Sequence, residues 1–241
     1  MDNKARDLLE HMTRSIIFGK CIMEAEGVDT DIMEKYLHLG YRKLRKKGEP
    51  VHEVGKNTKG VYFVKKGMIK SYFIGKDGTV KTFFIVGENC FFSEQLAFHS
   101  QPPMYETVAI KNSELYFFDK NIILNIMKKD FEVNLFILKT LAVKTRILAT
   151  QMEDMCMRNI LQSICRLLYN ICCCEERNNS FENHVQIKLT HQEIADILSS
   201  HRVAVTKSLS YLKKIGVLDC NYGNIIVKNK NKLKEIAFDA D

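Results

Sequence analysis

Residues 189–218, LTHQEIADILSSHRVAVTKSLSYLKKIGVL, gather side chains suited to binding rather than to bond making. His201, Arg202, Thr206 and Lys207 stand beside one apolar residue, Val203. On a helix Val203, Thr206, Lys207 and Ser210 recur at i, i+3, i+4 and i+7, and Val205, Leu209 and Leu212 share the opposite side. A core needs only the second side. The first offers cations, hydroxyls and methyl groups, the set that meets phosphates and base edges. Upstream, Thr190 and Glu193 form a T-x-x-E capping box that starts a helix burying Ile194, Ile197 and Leu198. Ser199 and Ser200 make the break. Helix, short turn and helix with a cationic outer face is the geometry that lays a second helix in the major groove. VLDCNYGNIIVKN reads as two strands around Asn221–Asn224, which form a wing. A solvated helix face is the plain alternative, because charged outer faces are usual.

Other chemistry is thinly supported. The eight cysteines (Cys21, Cys90, Cys156, Cys165, Cys172, Cys173, Cys174 and Cys220) include no CxxC pair and no histidine at zinc-finger spacing. The three in NICCCEE point about 100° apart if helical and cannot converge on one ion. They read as reduced thiols, with redox exchange of an exposed pair as the alternative. No Gly-rich phosphate loop or nucleophile elbow is present. His52 lacks the His-x-His partner of a cupin metal centre, which leaves a cupin-like enzyme as a remote reading. No catalytic residue, metal ligand or cofactor is assigned.

The elements that must position these residues change texture along the chain. Hydrophobic residues make up 46% and charged residues 27% of the 241 residues, an ordinary globular composition. The N-terminal segment is charged from its second residue and lacks a signal-peptide core, and no apolar run reaches membrane-spanning length, so a cytoplasmic protein is expected. Residues 1–40 read as mostly helical. From about 42 to 118, GVYFVKKG, MIKSYFIG, TVKTFFIVG, ETVAI and ELYFF are short strands punctuated by glycine turns, the pattern of a sandwich or barrel. Asp77-Gly78 marks a hairpin. From Asp119 the pattern is helical for some fifty residues. Within it Leu138, Leu141, Thr145, Leu148, Met152 and Met155 follow a 3.5-residue repeat, a seam for a second copy or a packing face within its own domain. RNNSFENH is a polar connector. The net charge is +7, with excesses at Arg42–Lys70 and at Lys188–Lys234; charge alone does not say which meets a polyanion.

GVYFVKKGMIKSYFIGKDGTVKTFFIVGENCFFSEQLAF and LTHQEIADILSSHRVAVTKSL together resemble the Crp/Fnr regulators, dimeric bacterial transcription factors, over nearly the whole chain. The second stretch is close to the family pattern, departing at Ser199, where the turn usually has Gly, and at Lys207, where Arg is commoner. The resemblance implies an α+β chain of three parts: a cyclic-nucleotide-binding-type β-barrel (jelly roll) at 1–128, a central dimerisation helix at 129–156 and a winged helix-turn-helix at 157–241. It implies that Arg202, Val203, Thr206 and Lys207, with His201 beside them, contact DNA from the recognition helix, and that Thr190, His191 and Gln192 touch phosphate. The implied partners are a second copy, a palindromic promoter site on double-stranded DNA, RNA polymerase and a small effector, with the protein an activator.

The effector by this reading is a small aromatic anion, halogenated ones included, and not cyclic AMP. Glu94 stands where the family's ribose-holding Glu stands, but SQPPMYETVAI offers Pro103 and Met104 where an Arg pair clamps the phosphate. Losing those charge-assisted hydrogen bonds costs roughly 1.5–3 kcal/mol each. Iron–sulfur sensing lacks its N-terminal cysteine cluster; a redox or haem-bound gas signal stays as the alternative, with His52 or His99 as a lone histidine. HRVAVTK, PMYETVAI and LKTLAVKTRILATQMED resemble the branch that senses halogenated phenols and switches on reductive dehalogenase genes. There a lysine at the position of Lys144 is implied to pair with a phenolate, against the alternative of a solvent-facing lysine. Lys144 lies three residues after Leu141 and four before Leu148, and can run its stem along the seam to the barrel mouth. Tyr72, Phe83, Phe84 and Tyr105 are candidate walls for an aromatic ligand or plain barrel core. Leu141 joins Lys144 and Glu94 as an effector-site candidate.

Overall fold

The computed structural model describes residues 11–238 except 13, 53–54, 56–58, 100, 179–184 and 222. The chain folds as two compact units: Ile17–Ile74 with Phe83–Thr145, and Met1–Ile16 with Gly75–Thr82 and Arg146–Asp241. The division falls inside one long helix. Residues 1–10 and most of the expected polar connector lie outside the described residues.

Among the described residues nine strands make two sheets in the first half of the chain. They are β1 (Ile17–Phe18), β2 (Tyr41–Arg45), β3 (Pro50–His52), β4 (Gly60–Lys66), β5 (Ile69–Ile74), β6 (Val80–Val86), β7 (Cys90–Phe92), β8 (Glu106–Ala109) and β9 (Ser113–Asp119). One sheet runs β1-β6-β5-β8-β3 and the other β2-β9-β4-β7. β1 pairs with β6 in parallel, with Ile17 opposite Ile85 and Phe18 opposite Val86. Val61, Phe63, Phe91, Leu115 and Phe118 are fully buried. The Asp77-Gly78 expectation holds: Gly75 N–H donates to Thr79 O over 2.7 Å, and Gly78 takes φ +81°, a left-handed value suited to glycine. Between β1 and β2 stand α1 (Lys20–Ala25) and a 3-10 segment, Thr30–Leu39; between β7 and β8 lies the single turn α2 (Gln95–Phe98).

The helical stretch expected from Asp119 is two helices, α3 (Lys120–Lys129) and α4 (Phe131–Met157). Asp119 caps the first, accepting from Asn121 N and Ile122 N. Asp130 makes the break, with φ −134°, and its carboxylate accepts from Glu132 N at 3.0 Å. One face of α4 buries Val133, Phe136, Ile137, Thr140, Val143, Lys144 and Ile147. The other leaves Leu138, Leu148, Met152 and Met155 exposed by 41–67%.

The C-terminal unit contains α5 (Ile160–Asn178), β10 (Val185–Ile187), α6 (His191–Leu198), α7 (Arg202–Lys214), β11 (Leu218–Asn221), β12 (Asn224–Val227) and α8 (Lys230–Phe238). The wing is the antiparallel pair β11–β12, and β10 adds a third strand on β12 that the sequence does not announce. Arg166 is fully buried on α5, where its guanidinium reaches Asp154 at 2.9 Å and Glu153 at 2.8 Å on the last turns of α4. That hydrogen bond is the main reason the Glu153 carboxyl is held down at about 2. No helix among the described residues is long and apolar enough to cross a membrane.

Candidate functional site

The break between α6 and α7 is built from the expected capping box. Thr190 Oγ1 accepts from Glu193 N at 3.1 Å and Glu193 Oε2 accepts from Thr190 N at 2.7 Å, so two otherwise orphaned donors are satisfied. Ile194, Ala195 and Ile197 are buried; Leu198 is only half-buried. Ser199 ends α6 at φ +53°, where glycine would be free of the Cβ clash. On α7, Val205, Leu209 and Leu212 are buried as expected. His201, Arg202, Val203, Lys207 and Ser210 are exposed, Val203 by 66%. An exposed valine flanked by cations has no use in packing.

Thr206 is placed differently from its neighbours. Half-buried, its Oγ1 shares a 2.9 Å hydrogen bond with His191 Nδ1, which ties the start of α6 to the middle of α7. The hydroxyl is thereby engaged within the protein. Gln192 donates to Asp196 at 2.8 Å along α6. Thr190, His191, Gln192 and Arg202 line a depression of about 620 Å³ with Gly223 and Asn224 of the wing. The structure therefore brings the α6 start, the α7 start and the wing to one face, with the N-terminal N–H groups of α6 favouring an anion there. Tyr211, exposed by 49% four residues beyond Lys207, belongs to this outer side as well; helical spacing could have found it, and the sequence reading omits it.

A second cluster lies at the sheets. Lys144 does not run along the exposed seam as expected. It sits on the inward face of α4, 7% exposed, because the i, i+3, i+7 spacing of Ile137, Thr140 and Lys144 places it there. Its Nζ pairs with the Glu94 carboxylate and donates to Phe91 O at 3.2 Å. The ammonium lies 5.6 Å from the Phe18 ring centre and 5.8 Å from that of Phe84. Glu94 is fully buried; one oxygen meets Lys144, and Oε1 has no hydrogen bond among the described residues. Burial pushes the Cys90 thiol far up, opposed by Lys144.

Beside this pair runs a polar chain inside the sheets. Ser71 Oγ and Thr107 Oγ1 are 3.0 Å apart, and His52 Nε2 is 2.9 Å from both Thr107 Oγ1 and Ser93 Oγ. Burial lowers His52 to about 4, so the ring is neutral near pH 7. The Tyr105 hydroxyl accepts from the Gln95 amide, and its ring lies 4.7 Å from Phe83 and 5.6 Å from His52. Burial pushes the Tyr105 phenol far up, with Glu94 adding to it.

Lys144, Glu94 and Phe84 thus meet, and Tyr105 adjoins them. Tyr72 does not. Its hydroxyl donates to Glu106 at 2.8 Å on the outer face of β5 and β8, while Ser71 is buried and Phe73, 37% exposed, packs its ring against Phe83 and Tyr105. Strand alternation from Ile69 fixes this, and it would have named Phe73 as the wall. Leu141 is half-buried at the edge of the inward face of α4. Among the described residues no three histidines, cysteines, aspartates or glutamates cluster to hold a metal.

The model of the cyclic nucleotide-binding domain matches residues 42–130, and that of the Crp-like helix-turn-helix domain matches residues 162–236. Among solved structures, OCPA-complexed CprK is 23% identical with a TM-score of 0.68, over 84% of this chain and 93% of that one. A CooA mutant from Carboxydothermus hydrogenoformans is 17% identical with a TM-score of 0.74, over 86% and 94%. A CRP/FNR-family transcriptional regulator from Thermus thermophilus is 22% identical with a TM-score of 0.65, over 82% and 98%. At these identities the likeness is one of fold. No curated protein matches the chain.

Proposed function

The chain belongs to the Crp/Fnr family of transcription regulators, which are not enzymes, and we propose that it is an activator gated by a small halogenated aromatic carrying an acidic hydroxyl. It acts as a homodimer on an AT-rich inverted repeat and recruits RNA polymerase. Residues 1–128 hold the effector, 129–156 form the dimer and 157–241 bind DNA.

The observation that carries this reading is the exposed Arg202-Val203…Lys207 face of α7, set beside the capped start of α6 and the wing. Such a face does nothing for the core, whereas a major groove uses each of its groups. For the effector, the supports are Lys144 under the Phe18 and Phe84 rings and Pro103-Met104 in place of a phosphate clamp. CprK, of the same fold, was solved with OCPA bound.

A thermal-shift screen tests the effector class, using halophenols, unsubstituted phenols and cyclic nucleotides. A ligand at 100 times its Kd stabilises the native chain by about 2.7 kcal/mol. At about 2–4 °C per kcal/mol for a chain of this size, that is a shift of roughly 5–10 °C. Halophenols are expected to give it and cyclic AMP to give none. A shift from cyclic nucleotides alone would overturn the effector class while leaving DNA binding in place.

A further inference from the structure

A bare lysine would hold a phenolate by its charge. Lys144 is not bare: the Glu94 carboxylate is already against its ammonium, and both side chains are less than a tenth exposed. The pair and the groups facing it are spread over the fold. Lys144 belongs to α4, Glu94 to the start of α2, Cys90 and the Phe91 carbonyl to β7, Phe18 to β1, Phe84 to β6, and Tyr105 precedes β8. His52 of β3 adjoins through Ser93. Cys90 and Tyr105 are pushed toward their neutral forms and His52 is neutral above about 4. The charge of the cluster is therefore that of one ion pair, zero. A phenolate placed there alone would make it negative, and an unpaired buried charge is among the costliest groups to hold. Expelling Glu94 instead would strand Lys144's present partner in the wall, where it has no exposure.

We propose that the Lys144–Glu94 pair selects the neutral, protonated effector: its hydroxyl donates to the free Glu94 Oε1 and accepts from the Lys144 ammonium. This rests on the reading that the effector binds at this cluster. The hydrogen bond that Oε1 lacks is then supplied by the ligand. The proton balance follows. A neutral phenol brings its own proton and exchanges none with solvent. A phenolate takes up one proton from solvent on binding, held between its oxygen and the Glu94 carboxylate.

The test is calorimetry of the full chain with 2,4,6-trichlorophenol in two buffers of different ionisation enthalpy, across the pKa of the phenol. Above that pKa the wild type is expected to take up about one proton per ligand, with Kd rising about tenfold per pH unit. Glu94→Gln removes the acceptor charge, so proton uptake disappears and affinity rises with pH as the phenolate becomes the favoured form. The wild-type proton count needs no variant and decides even where Glu94→Gln folds poorly. Tightening of the wild type with rising pH, without proton uptake, overturns the inference and leaves the effector class standing. No binding to either protein overturns both.

Discussion

Valine has no hydrogen-bonding atom, so at position 203 it offers bases only methyl groups. Those suit the C5-methyl of thymine, where a carboxylate would accept from cytosine N4. Val203 is exposed by 66%, while the neighbouring Thr206 hydroxyl is engaged by His191. Val203→Glu is expected to move the preferred base at that symmetric position from A·T to C·G, weakening the native site by about 1–3 kcal/mol. Selection from a random DNA pool with both proteins checks this; an identical consensus for the two would place Val203 away from the bases. A second single-residue expectation concerns acid stability. His52 titrates at about 4 in the fold against 6.5 free, because burial penalises its charged form. The unfolded chain therefore takes the proton first. The contribution is complete above pH 6.5 and is lost as pH falls toward 4, about 3 kcal/mol at roughly 1.4 kcal/mol per unit. Urea melts between pH 7 and 4 should show that slope, and His52→Gln, which keeps a polar group beside Ser93 and Thr107, should flatten it.

Between residue and molecule stands α4, with two faces that the sequence shows as one run of apolar residues. The inward face is spent on Val133, Phe136, Val143 and Ile147. Leu148 and Met152 on the other, exposed by 41% and 67%, fit the 3.5-residue repeat of a seam between two copies. Leu148→Glu puts two carboxylates into that seam, and the expected result is a folded monomer by sedimentation with specific DNA binding lost. An unchanged dimer would move the interface elsewhere. The same helix shows what was legible in the sequence. Periodicity displays seam and core positions alike, but the break at Asp130 is made by a capping carboxylate inside an apolar pattern, so the helical texture from Asp119 does not show where α3 ends. Strands of four to seven residues between glycine turns, β4, β5, β6, β8 and β9, were readable. The two- and three-residue strands β1, β3, β7 and β10 are too short to display an alternation. The α6–α7 turn was legible from its capping box, although Ser199 takes a left-handed φ usually left to glycine. At the cluster proposed for the effector, sequence placed Lys144 and Glu94 in one region without their ion pair, because partners fifty residues apart leave no local pattern.

Over the whole molecule, 36 Lys and Arg oppose 29 Asp and Glu, and the excess is concentrated in two places, Arg42–Lys70 and Lys188–Lys234. Both hold partnered cations, since in the second Lys213 and Lys228 meet Asp219, Lys232 meets Glu235, and Lys230 and Lys234 lie over Tyr169. What separates them is where the exposed cations stand. In the first region Arg42 pairs with Glu114 at 2.8 Å, Lys65 pairs with Glu34, and Lys43 lies over the Tyr62 and Phe117 rings. In the second, Arg202 and Lys207 are exposed at the start and middle of α7, on the face that carries Val203. Cations already compensated within the fold release fewer counterions on meeting a polyanion than cations held ready on an exposed helix. DNA affinity should therefore fall with salt at a slope set by the α7 and wing residues, each phosphate contact adding about 0.9 to it. In a dimer, Lys207→Gln removes two such contacts if it meets phosphate, so the slope should drop by about 1.8, with the inverted repeat still spaced at about 34–36 Å. Lys46 and Lys47 are exposed cations of the barrel and no part of the α7 and wing face, so replacing both by Gln should leave the slope unchanged. Filter binding or fluorescence anisotropy from low to physiological salt reads both variants. A slope that drops with the Lys46 and Lys47 changes and not with Lys207→Gln would mean that the barrel, and not the recognition helix, carries the polyanion contact.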